Sequence, residues 1–123
     1  MPALVFVGAG GFLGAICRYL FGELFRGGAF PYSTLLINVS GCLLLGFLGS
    51  LESVPLSPQM RLFLMVGFAG AYTTFSAFGF ETWQLLESGR NFEAFLNILS
   101  SNVLCFAAVF SGVFLARFIA AGN

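Results

Sequence analysis

Residues 67 to 81 read GFAGAYTTFSAFGFE, an apolar stretch interrupted by two adjacent threonines, a serine and three glycines. Each glycine weakens a helix by about 1 kcal/mol relative to alanine, and threonine hydroxyls compete for backbone groups. The pattern predicts a helix broken near Gly70 to Thr73. Where a helix breaks away from water, freed carbonyls suit a cation, and the N-terminus of the following half-helix suits an anion. Directly after the expected break, Phe75 and Phe78 stand three apart and share a face, while Ser76 turns elsewhere. The rim of a phenyl ring carries partial positive charge, so two rings presented edge-on can touch a small anion without trapping it. The plainer reading is a kink that neighbouring helices stabilise.

Other polar groups are carried into apolar surroundings. Asn38, in TLLINVSG, either bonds to a neighbouring helix or directs its NH₂ at an anion. Asn97, Ser101 and Cys105 recur at i, i+4 and i+8, which sets an amide, a hydroxyl and a thiol in one line up a helix face. Such a stripe calls for water or an ion. Arg18 falls near the end of its apolar run, where the guanidinium either reaches the membrane interface or sits at the mouth of a path and concentrates anions. Glu81, at the end of the third run, suits a vestibule or an interface better than the midplane.

These residues need elements to hold them, and the composition says which. Of 123 residues, 59% are hydrophobic and 8% charged, with a mean hydropathy of +0.97. That is far from the balance of a water-soluble domain, and the chain reads as an integral membrane protein. Four runs are long enough to cross a hydrocarbon core of about 30 Å: Ala3 to Phe25, Ser33 to Leu51, Met60 to Leu86 and Phe92 to Ala120. RGGAFPY, ESVPLSPQ and ESGRN separate them. Residues 1–123 are therefore expected to form a single four-helix transmembrane domain. The runs are continuous rather than alternating, so the expected fold is all-α and not a β-barrel. The first begins almost at Met1 with no positive charge before it, a poor match to a cleaved signal.

Four spans put both chain ends on one side. Arg61 and Arg117 then lie near that face and Arg26 and Arg90 near the other, with Arg18 towards the far end of the first helix. Apart from Arg18 the count is even and gives the chain little to orient by. Either so few charges carry no signal, or the balance predicts dual topology, in which copies insert both ways and pair as an antiparallel homodimer, a two-chain version of an inverted repeat. Gly10 and Gly14, their neighbours Gly11 and Ala15, then Gly41, Gly46, Gly49, Gly112 and Ala116 read as helix-packing residues, because lipid supplies no hydrophobic drive between helices.

The sequence contains no His, Asp or Lys, which removes most of the usual general bases and metal ligands. Cys17, Cys42 and Cys105 fall in different spans without C-x-x-C spacing and read as small packing residues. An enzyme is not expected.

GAGGFLGAICRY, TLLINVSG and GFAGAYTTFSAF resemble, in that order, the first-span signature, the second-span asparagine motif and the G-x-x-T-T-F-S-x-F core of the Fluc (CrcB-like) family, the small fluoride channels of microbial membranes. The likeness runs through all four spans. It implies an antiparallel homodimer in the bacterial inner membrane, with two fluoride pores and a structural sodium ion at the dimer centre. By the same likeness, main-chain carbonyls of the broken third helix, here those of Gly70 and Thr73, hold the sodium. Phe75 and Phe78 would line the fluoride path, Asn38 would orient one ring or contact the ion, and Ser76, Asn97 and Ser101 would belong to the polar track. Arg18 would face the vestibule. Ala71 stands in place of a common second glycine, Ala77 in place of a frequent threonine, and Asn97 near a frequent tyrosine position.

The implied function is passive export of cytoplasmic fluoride that accumulates after entry as HF. A selective path has to replace the water around this small anion with donors and aromatic edges rather than with a lysine, from which it would not leave. A small four-helix, dual-topology exporter of drugs or cations is the alternative. It needs a titratable carboxylate deep in a span, whereas Glu23, Glu52, Glu81, Glu87 and Glu93 all fall at or near run ends. An assembly subunit without transport activity is a further reading.

Overall fold

The computed structural model describes residues 1–52 and 54–122; Ser53, in the expected second turn, and Asn123 lie outside the described residues. Helix α1 (Pro2–Leu24), helix α2 (Tyr32–Gly49), a rod from Pro58 to Glu87 and helix α6 (Asn91–Ala121) are each long and apolar enough to cross a membrane. They coincide with the four expected runs to within a few residues. Among the described residues there is no strand.

The rod is composite. It opens with α3 (Pro58–Arg61), continues through π-helical turns at Leu62–Ala69 and the short α4 (Gly70–Tyr72), and resumes after a break as α5 (Phe75–Glu87). Its start lies slightly before the expected Met60 because Ser57 caps it, accepting from the Met60 N–H at 3.2 Å, while Pro58 supplies the preset φ of a first helical residue. Its end is closed by Gly89 at φ 74°, a conformation that favours glycine, which lets the Arg90 N–H donate to the Leu85 carbonyl at 2.8 Å.

The interior holds small and polar residues beside a few large ones such as Ile37 and Leu85, and most large apolar side chains face outward. Asn97 is the largest fully buried side chain, whereas Phe12, Phe106 and Phe110 are 63 to 70% exposed. This inversion fits a chain whose surroundings are hydrocarbon and whose helices associate through close backbone approach.

Two seams show that approach. Between α1 and the first half of the rod, a Cβ on Gly10 would strike the Phe63 carbonyl, one on Gly14 the Phe68 carbonyl, and one on Gly67 the Val7 carbonyl. Between α2 and α6, Gly46 lies against the Val109 carbonyl and Gly112 against the Leu43 carbonyl. Gly41 has another use, since a Cβ there would collide with Cγ2 of Thr73. Its bare backbone makes room for the break.

Candidate functional site

The break falls at the threonines rather than at the glycines. Gly70 is helical, with φ −63° and ψ −35°. Thr73 turns extended at ψ 155°, and Thr74 follows at φ −150° and ψ 116°. Gly67 is taken up by contact with α1, so of the two helix-weakening residue types expected to act here it is the threonines that turn the chain. The local cause is hydroxyl competition. Thr73 Oγ1 donates to the Ala69 carbonyl at 2.9 Å, and Thr74 Oγ1 caps α5 by accepting from the Ala77 N–H at 3.2 Å.

Asn38 of α2 fills the gap. In an unbroken helix the Thr74 N–H would donate to the Gly70 carbonyl; here it donates to Asn38 Oδ1 at 2.8 Å. Asn38 Nδ2 donates in return to the Thr74 carbonyl at 3.0 Å. One amide thus engages both main-chain polar groups of Thr74, and its Oδ1 stands in for the helical acceptor that the N–H has lost; such a group left buried and unpaired would cost about 1–3 kcal/mol.

A second brace holds the turn after the break. Asn97 Nδ2 donates to Thr82 Oγ1 at 2.9 Å, and that hydroxyl donates to the Phe78 carbonyl at 2.8 Å. Asn97, only 1% exposed, is engaged between α6 and α5. Below the break, the Ser40 and Tyr72 hydroxyls lie 2.9 Å apart, tying α4 to α2.

Two cavities meet at this place. One, of about 340 Å³, is lined by Asn38, Thr74, Phe75, Phe78, Ser101 and Cys105. The other, of about 480 Å³, is bordered by Arg18, Thr34, Thr74, Ala77 and Glu81. Thr74 borders both, so a phenyl-lined chamber and a polar vestibule adjoin at the interrupted backbone. The rings of Phe75 and Phe78 have centroids 5.5 Å apart and planes at 54°. Phe75 is 83% exposed. In the vestibule, Thr34 Oγ1 donates to Glu81 Oε1 at 2.7 Å, while Glu81 Oε2 is buried without a partner.

Most of the residues singled out in the sequence are brought together. Asn38, Thr73, Phe75, Phe78 and Ser101 line the phenyl chamber, and Arg18 lines the vestibule. Ser76 is exposed and borders neither cavity; its hydroxyl lies 3.2 Å from that of Thr74. Asn97 stands behind the chamber wall, on the Thr82 brace. Gly70 is exposed on another side. Thr34, Thr82 and Asn102 were not anticipated. Thr34 precedes Asn38 by one helical turn, a spacing that could have flagged it. Asn102 borders the chamber, but its Nδ2 bonds back to the Ile98 carbonyl at 2.8 Å.

The donor set at the break also fits a hard alkali cation. Such an ion takes oxygen ligands. Diverting the Thr74 N–H to Asn38 leaves the Gly70 carbonyl without its usual helical donor, on an exposed face. Among the described residues, no group of three or more His, Cys, Asp or Glu side chains could hold a metal, so main-chain oxygens are the ligands on offer.

Residues 5–113 match the family described as CrcB-like protein, Camphor Resistance (CrcB). Relatives named fluoride-specific ion channel FluC include one from Geotalea daltonii, 42% identical over 97% of this chain and 100% of its own length. Another, from Rhizobium meliloti, is 45% identical over 95% of this chain and 98% of its own. A third, from Hahella chejuensis, is 42% identical over 97% and 98% respectively. The broken rod, the Asn38 brace and the phenyl chamber all lie within the matched residues, and the chain belongs to the CrcB-like family.

Proposed function

We propose that two copies of this chain, each one four-helix domain inserted in opposite directions in a bacterial inner membrane, form a passive, fluoride-selective channel with two pores. The observation that carries this reading is the break at Thr73 and Thr74, which joins a vestibule holding Arg18 to a chamber presenting Phe75, Phe78 and Ser101. The names of the relatives support the choice of ion.

The residues divide the work. Arg18, without an ion pair among the described residues, raises the local concentration of anions at the entrance. Further in, fluoride exchanges water for fixed donors. Asn38 has two N–H groups and spends one on the Thr74 carbonyl, so the other is free for the ion. Ser101 adds a hydroxyl, and the rims of Phe75 and Phe78 add a weakly positive lining that lets the ion leave. The exposed Ser76 hydroxyl, joined to that of Thr74, extends the polar track where the second copy would cover it. Asn97 serves the track indirectly, by holding the Phe78 turn. Gly70 and Thr73 of both copies would hold a sodium ion through their carbonyls. When bound, that ion supplies fixed positive charge and locks the two breaks together.

Purified protein in liposomes loaded with potassium fluoride tests the reading. Rapid, electrogenic fluoride loss is expected; proton-coupled uptake of an organic cation, with Glu81 as its carboxylate, would replace the channel with an exporter. The even arginine count predicts that C-terminal reporter fusions are active on both sides of the membrane. A single orientation would refute the antiparallel pairing.

A further inference from the structure

Helices α2 and α6 are the second and fourth spans, run in the same direction and keep step along their shared face. Gly46 lies against the Val109 carbonyl, a point where the two backbones come close enough to leave no room for a Cβ. One turn back on each helix stand Cys42 and Cys105, and one turn further back Asn38 and Ser101. The register therefore sets the two thiols level with each other, one turn from the point where the helices touch. Both border the phenyl chamber, their side chains adjoin, and both are partly buried, whereas Cys17 is exposed on α1.

We propose that Cys42 and Cys105 form a two-thiol clamp for a soft, linearly coordinating metal cation, the mercuric ion being the best match, and that its capture closes the phenyl chamber. Thiolates select soft cations. A zinc ion would want four ligands, and among the described residues no third His, Cys, Asp or Glu completes such a set. In the capture step two S–H bonds and the bonds from mercury to two water or chloride ligands break, two S–Hg bonds form, and two protons leave to water with the displaced ligands. The charge that departs equals the charge that arrives, so the neutral bis-thiolate adds no net charge to an apolar chamber. The captured metal lies one turn from Asn38 and Ser101, on the wall that the proposed fluoride path follows. Closure rests on that proposed function; capture does not.

The test separates the two. In a Cys17→Ala background, full-length protein in detergent is treated with mercuric chloride, exposed to a competing monothiol and desalted. One mercury per chain, with a near-ultraviolet thiolate-to-mercury absorption, is expected. Cys42→Ala and Cys105→Ala should each lower retention by at least about tenfold, because a single thiol exchanges with the competitor. Equal retention in either single variant would overturn the clamp. In liposomes, mercuric ion should cut fluoride loss by at least about tenfold in the Cys17→Ala protein, reversibly with a dithiol, and leave unaffected the protein that combines Cys17→Ala, Cys42→Ala and Cys105→Ala. Full retention with undiminished fluoride loss would overturn the closure. Absence of fluoride loss before mercury is added would count against the channel itself and leave the retention result standing.

Discussion

Where the first half of the rod meets α1, the contact is dry and made by missing side chains: Gly10, Gly14 and Gly67 let carbonyls press directly on the facing backbone. Where the second half meets α2 and α6, the contact is made by amides and hydroxyls, from Asn38 to Thr74 and from Asn97 through Thr82 to Phe78. The two halves of one rod are held by different means because they have different tasks. A glycine seam fixes distance but offers an ion nothing. A polar brace costs desolvation, is worth about 1 kcal/mol net per bond, and leaves the backbone interrupted yet ordered. The cavities lie on the braced half alone.

Substitutions can break this contrast, and the largest effect is expected at the seams. Gly14→Leu drives a side chain into the Phe68 carbonyl and should destabilise the fold by about 3 kcal/mol or more, read as a loss of monodisperse protein and a large fall in Tm in detergent. Next comes Asn38→Leu, which strips the side-chain partner from both the N–H and the C=O of Thr74 at a cost of about 2–4 kcal/mol. It should also lower fluoride flux by about a hundredfold, since the donor and the shape of the break are lost together. Phe75→Ile and Phe78→Ile leave both braces in place and should reduce flux by about tenfold without dissociating the proposed dimer. Wild-type flux in both variants would remove the rings from the path. Thr82→Val is the mildest. It deletes the relay to the Phe78 carbonyl, should cost about 1 kcal/mol, and should slow flux less than either ring substitution. A flux loss as deep as that of Asn38→Leu would show the two braces to be equivalent.

The spans were legible because each is a continuous apolar run, which lipid allows only as helix. The interruption was legible too, from two residue types that both weaken helices, of which only the threonines turn the chain. Gly67 and Gly70 look like breakers from composition; inside a membrane Gly67 is spent on closeness, and the β-branched, self-bonding Thr73 and Thr74 turn the chain. The π-helical stretch Leu62–Ala69 left no mark in the sequence; it is the part of the rod whose Phe63 and Phe68 carbonyls face Gly10 and Gly14 of α1. The stripe of Asn97, Ser101 and Cys105 was visible from spacing, yet spacing on one helix says nothing about its neighbour. Thr82 claims Asn97, while Ser101 and Cys105 stay on the chamber. Thr34 and Glu81 found each other across 47 residues, a pairing that no local pattern announces.

The rod is interrupted at Thr73 and Thr74, and Asn38 accepts the Thr74 N–H in place of the missing helical bond. Solid-state NMR of protein labelled at these threonines, in lipid bilayers, reads the backbone directly through Cα and Cβ shifts. Extended shifts at Thr73 and Thr74, flanked by helical shifts at Gly70 and Phe78 and lost in Asn38→Leu, are expected. Helical shifts at both threonines in the unsubstituted protein would contradict that interruption.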